Sequence, residues 1–123
     1  MASTGPNDGA LRCFASQIDN SHVWIFPYNG RGLYLFDAVG GWQYREIAGN
    51  VTELDKDACM ISGVPNQALI TGRNYWIYAY WETGAIRYEF YSAGGALDAG
   101  SGFIVKPNDI TRRLIGGCCY ADQ

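Results

Sequence analysis

The residues that could do chemistry are few in this chain. His22 is the only histidine; it follows Ser21 and lies near Asp19, and residues so close in sequence do not readily face one another as nucleophile, base and orienting acid. The four cysteines, Cys13, Cys59, Cys118 and Cys119, include no Cys-x-x-Cys pair, so with one histidine they do not compose a zinc set. Asp55-Lys56-Asp57, Asp98 and Asp109 lack the dense oxygen ligands of a calcium loop. The expectation is a protein without catalytic residues, metal or cofactor.

Other chemistry remains open to these side chains. Four cysteines exceed what packing in a reducing cytosol requires, and stable disulfides form after release into an oxidising medium. Cys118, Cys119, Cys13 and Cys59 are therefore the candidates for inter-subunit disulfides. A bond between the neighbours Cys118 and Cys119 would distort the backbone, so each is expected to meet a different partner. Arg112 and Arg113, close to Asp109, are candidates for ion pairs across an interface, where they would set register more than affinity. Trp24, Trp42, Trp76 and Trp81, with nine tyrosines, could form platforms for sugar rings; core and subunit interface are the preferred places for them, because aromatic rings dominate both.

Short runs of β-forming residues, separated by turn signals, must position these groups. Val23–Phe26, Leu33–Phe36 and Trp42–Ile47 read as three strands divided by Pro27–Gly32 and Gly40-Gly41. Asn50–Met60 is the one stretch with helical spacing, through Val51, Leu54 and Ala58 behind Asn50 as a cap, and predicts a short helix or loop. Ile61–Asn66 is a turn signal, and Ala68–Ile70 a short strand. Asn74–Trp81 is the clearest strand, with Tyr75, Ile77, Ala79 and Trp81 on one face and Trp76, Tyr78 and Tyr80 on the other. Both faces are apolar or aromatic, which suits a strand covered on two sides.

Beyond Glu82-Thr83-Gly84 the chain returns as Ala85–Tyr91, with Ile86, Tyr88 and Phe90 inward and Arg87 and Glu89 outward, a hairpin with one wet face. A loop of small residues, Ser92–Gly102, leads to Phe103–Val105, a turn at Lys106–Asp109 and a last short strand starting at Arg113. The pattern predicts an all-β fold, a small antiparallel β-sandwich or barrel with short loops, in which residues 11–123 form one domain behind a flexible N-terminal arm at residues 1–10. Because Trp76, Tyr78 and Tyr80 would leave a sheet face too apolar for a monomer surface, a homo-oligomer is expected, with a trimer favoured.

Composition narrows the class of partner. The chain has 123 residues, 48% of them hydrophobic, with 9 basic and 12 acidic residues for a net charge of −3. A concentrated positive face is needed to bind a phosphate backbone or an anionic lipid surface, so neither nucleic acid nor membrane is expected as partner. No basic flank followed by an apolar run marks a signal peptide at the N-terminus, and no apolar stretch approaches the roughly 20 residues of a membrane helix. The glycosylation pattern at Asn50-Val51-Thr52 is read as chance without a secretory signal.

Three segments carry a resemblance: Ile61-Ser62-Gly63-Val64-Pro65-Asn66, then Tyr75-Trp76-Ile77-Tyr78-Ala79-Tyr80, then the run from Gly102-Phe103-Ile104-Val105-Lys106-Pro107 to Ile115-Gly116. Between Ile61 and Gly116 the chain resembles a β domain of tailed-bacteriophage virion structural proteins, found in head-decoration or minor capsid proteins and in tail or collar fibres. The loop Tyr91–Asp98 and the pair Cys118-Cys119 depart from that pattern. The resemblance implies a structural virion protein made in the host cytoplasm, and it brings no catalytic residues. A capsid decoration or cement protein is expected first, bridging and stabilising the major capsid protein or other virion proteins. A tail or collar fibre module that contacts glycans is the alternative; fibres usually carry repeats or extended stalks, which are absent from this sequence.

Overall fold

The computed structural model describes residues 10–15, 22–29, 32–47, 52–70 and 72–120, with side chains described at 24–25, 32–47, 52–70 and 72–116. Of the expected arm at residues 1–10, residues 1–9 lie outside them, as does the Asn50-Val51 part of the sequon, whereas Ala10 belongs to a strand. Twelve strands and no helix are found among the described residues. The first four are β1 (Ala10–Ala15), β2 (His22–Asn29), β3 (Gly32–Asp37) and β4 (Gly41–Glu46). They are followed by β5 (Thr52–Asp55), β6 (Cys59–Ile61), β7 (Val64–Gln67) and β8 (Arg73–Glu82). The last four are β9 (Ala85–Tyr91), β10 (Ala96–Leu97), β11 (Ile104–Lys106) and β12 (Asp109–Tyr120).

A seven-stranded sheet runs in the order β10-β11-β12-β8-β9-β6-β7, beside a three-stranded sheet β1-β2-β5 and the hairpin β3-β4. All pairs are antiparallel except β6 with β9. The fold is thus all-β, and its sheets stay open, so the closed barrel named as one of two expectations is not formed.

The core lies between the large sheet and the strands packed on it. Ile25 of β2 and Leu33 and Leu35 of β3 meet Tyr75, Ile77 and Ala79 of β8 and Tyr88 and Phe90 of β9. These β8 and β9 positions are alternate residues, as the two-residue period of a strand requires. Each fully buried aliphatic side chain here stabilises the fold by roughly 1.5–3 kcal/mol relative to exposure.

Three elements differ from the sequence-based expectation. The helical spacing at Asn50–Met60 is not used: the described part forms β5, β6 and a turn in which Asp55 Oδ1 accepts from the Asp57 N–H at 2.9 Å. Pairing of β5 with β2 and of β6 with β9 gives those residues ladder partners that an isolated helical turn would lack. Ala68–Ile70 is not a strand; Ile70 N–H instead donates to the Tyr75 hydroxyl at 2.8 Å. The last strand is long, and it starts at Asp109 rather than Arg113.

Candidate functional site

Arg112 and Arg113 are successive residues of β12, so the pleat sends them to opposite faces of the large sheet. Arg113 pairs in register with Ala79 of β8, a core position, and Leu114 with Tyr78. The two arginines therefore organise two different environments.

On the outer face, Glu89 of β9 is opposite Tyr78 and is only 1% exposed. Its Oε2 accepts from Lys106 Nζ at 2.8 Å and its Oε1 from Arg112 Nε at 2.9 Å. Both cations also lie over rings: Arg112 is 3.6 Å from the centroid of Tyr80 and Lys106 is 4.4 Å from that of Tyr91. A carboxylate buried without partners would be costly, and here two cations from β11 and β12 satisfy it. Glu89 was expected to face water. It is covered instead because the long Lys106 and Arg112 side chains lie across the aromatic face with their stems.

The same cover accounts for the aromatic residues proposed as an oligomer interface. Tyr78 and Tyr80 are buried within the chain itself, and Trp76 is half-buried. The loop after β9 folds back over them: Tyr78 donates its hydroxyl proton to Ala93 O at 2.8 Å, and Gly94 sits against the Trp76 indole. Tyr78 and Tyr91 meet edge to face at 6.3 Å. Burial raises both the Tyr78 and the Tyr80 hydroxyl pKa above the ordinary tyrosine value; Tyr91 and Glu89 add to the rise at Tyr78, while Arg112 opposes it at Tyr80. The reason for expecting a homo-oligomer through a bare face of these rings is thereby removed.

On the inner face, Arg113 is 7% exposed. Its Nη1 donates to Tyr34 O at 3.0 Å, and its guanidinium lies 3.8 Å from the Phe103 ring centroid. Trp42 packs edge to face against the same Phe103 at 4.9 Å. Burial lowers the Arg113 pKa to about 10, which leaves it a cation at neutral pH.

The remaining candidates are scattered. Cys59 is buried in the core cluster, with Sγ donating to Asp55 O at 2.8 Å, a position that keeps it from bridging to another subunit. Cys13 stands opposite Ile25 in the β1–β2 register, and Cys118 and Cys119 stand opposite Tyr75 and Asn74 in the β12–β8 register; their side chains, like that of His22, lie outside the described residues. The acids weighed as metal ligands build turns: Asp98 Oδ2 accepts from the Ser101 N–H and hydroxyl, and Asp109 Oδ1 from the Thr111 N–H. Sequence reasoning missed Glu89, Lys106 and Tyr91 as a group. The available signal was the aromatic second face of β8, which needed a cover from elsewhere in the chain.

No known protein family, curated protein or solved structure matches this chain.

Proposed function

We propose that the chain is a structural subunit of a tailed-phage virion, a capsid decoration protein that bridges and stabilises neighbouring shell subunits. The observation that supports this reading is the placement of exposed apolar side chains at both ends of the large sheet. At the β10–β11 end, Leu97 is 66% exposed and pairs in register with Ile104, itself 39% exposed. At the opposite end, Val64 of the edge strand β7 is 51% exposed, and Ile70, beyond the end of β7, is 50% exposed. A subunit with exposed apolar side chains at both ends can join two neighbours, and such bridging needs buried area rather than reaction chemistry.

The virion assignment itself rests on the resemblance between Ile61 and Gly116. Copy number in purified particles tests it, by quantitative mass spectrometry of the phage that encodes the chain. Hundreds of copies per particle are expected for a shell protein, since the shell repeats its subunits by symmetry. About a dozen copies would move the protein to the neck or tail, where few symmetric positions exist. Absence from the particle would overturn the virion reading.

A further inference from the structure

The large sheet has an opening beside β12. On one side, β8 pairs with β12 from Arg113 as far as Tyr120. On the other, β11 pairs only at Val105↔Arg113 and Lys106↔Asp109. From Leu114 to Gly116, therefore, the second edge of β12 has no strand partner among the described residues. A cleft of about 300 Å³ lies against this edge, walled by Phe103, Ile104 and the run Arg113–Gly116.

Arg113 gives the cleft its chemical character. The ion pairs among the described residues go to Arg45, Lys56, Arg87, Lys106 and Arg112. None goes to Arg113, whose one hydrogen bond within the described structure is to a neutral carbonyl. One carbonyl and one ring face are its partners in the described structure; its other guanidinium nitrogens are not sealed from solvent, so the rest of the donor fork is open to an incoming group and its charge has no acidic partner there. The group that matches it best is a carboxylate, which the fork can grip through two parallel hydrogen bonds. The low-dielectric walls of Phe103, Ile104, Leu114 and Ile115 would strengthen that pairing relative to water.

We propose that this cleft binds an extended segment of a partner chain that carries a glutamate or aspartate, with the carboxylate on Arg113 and the segment's backbone added along Leu114–Gly116. Strand addition supplies main-chain hydrogen bonds, and the apolar walls take alternate side chains of the segment. The site is independent of the virion reading, because it follows from what fits the cleft and not from where the protein resides.

The test uses the isotopically labelled full chain and two blocked pentapeptides, Val-Thr-Glu-Val-Thr and Val-Thr-Gln-Val-Thr, followed by nuclear magnetic resonance. The glutamate peptide is expected to shift the amide resonances of Gly102 and Leu114–Gly116 and to bind about tenfold more tightly than the glutamine peptide, the factor one good charge-assisted contact provides. Arg113→Met is expected to erase the preference. Because the comparison between the two peptides is made on the unaltered protein, it decides the matter even where the variant fails to fold. Equal binding of the two peptides, shifts confined to other residues, or no shift at millimolar peptide would each overturn the proposal. Sodium isovalerate binding as tightly as the glutamate peptide would also overturn it, by assigning the cleft to a small organic acid.

Discussion

Glu89 shows how a single buried charge organises the outer face. Its carboxylate is held by Lys106 and Arg112, whose side chains are 16% and 24% exposed against 1% for Glu89 itself. The two sides of this cluster are therefore unequal. Glu89→Gln frees two cations that still reach water and is expected to cost about 1–3 kcal/mol, the range for hydrogen bonds to charged groups. Replacing Lys106 and Arg112 together by Met strands the carboxylate in the interior and is expected to cost about 3–5 kcal/mol. Urea denaturation of the two variants measures the difference, and a larger loss for Glu89→Gln would contradict the arrangement. The tyrosines beneath make a second prediction. Because the folded-state pKa of Tyr78 and Tyr80 is raised, their contribution to stability is complete below the unfolded tyrosine value and is lost as pH rises beyond it. Ultraviolet titration should show these two hydroxyls ionising above the ordinary tyrosine range, and Tyr78→Phe should remove part of the alkaline destabilisation at a cost of about 1 kcal/mol at neutral pH. The inward and outward positions on β8 were legible from alternation alone. The burial of Glu89 was not, because its partners stand 17 and 23 residues away in sequence.

At the level of elements, the most legible features were those set by local chemistry. The strands expected at Val23–Phe26, Leu33–Phe36, Trp42–Ile47, Asn74–Trp81 and Ala85–Tyr91 all correspond to observed strands. Their β-branched and aromatic residues alternate between turn signals, and no competing period is present. Elements that depend on distant pairing were less legible: two-residue β10 is a strand only through β11, and β12 continues through Gly116-Gly117 because β8 pairs with it there. Two hairpins turn on the same local device. Ser62-Gly63 joins β6 to β7 and Thr83-Gly84 joins β8 to β9, with φ positive at both residues of each turn. Two-residue turns with that geometry match the right-handed twist of the flanking strands, and asparagine is the residue best suited to their first position. Thr83 is a poor occupant, since a β-branched side chain is strained at its φ of 52°. Thr83→Asn is expected to stabilise the protein by about 0.5–1 kcal/mol, a part of the left-handed penalty. A rise in thermal midpoint would bear this out; a fall would show that the threonine makes a compensating contact.

Across the whole molecule, the layered sheets decide which cysteines can take part in cross-linking. The sequence put forward all four cysteines and set Cys118 and Cys119 apart only as neighbours that would each meet a different partner; nothing in it separated Cys13 from Cys59. The fold separates them, because Cys59 belongs to the cluster that includes Ile77, Ala79 and Phe90. A thiol in that position packs as a small hydrophobe and is shielded from exchange with another subunit's sulfur. Cys13 lies on β1, at the edge of the three-stranded sheet, and Cys118 and Cys119 lie near the end of β12. If the subunit is stapled to neighbours after release into an oxidising medium, the bonds must run through these three. Each bond would oppose dissociation by about 2–4 kcal/mol, the range for a within-chain bridge. If the proposed virion role holds, non-reducing electrophoresis of intact particles is expected to give a ladder of high-mass species that collapses on reduction. Particles carrying Cys59→Ala should retain that ladder, and particles carrying Cys118→Ser with Cys119→Ser should lose most of it. A single band at the monomer mass without reductant would refute the cross-link altogether. A ladder abolished by Cys59→Ala alone would require the large sheet to open before the bond forms, contrary to the burial of that thiol in the core cluster.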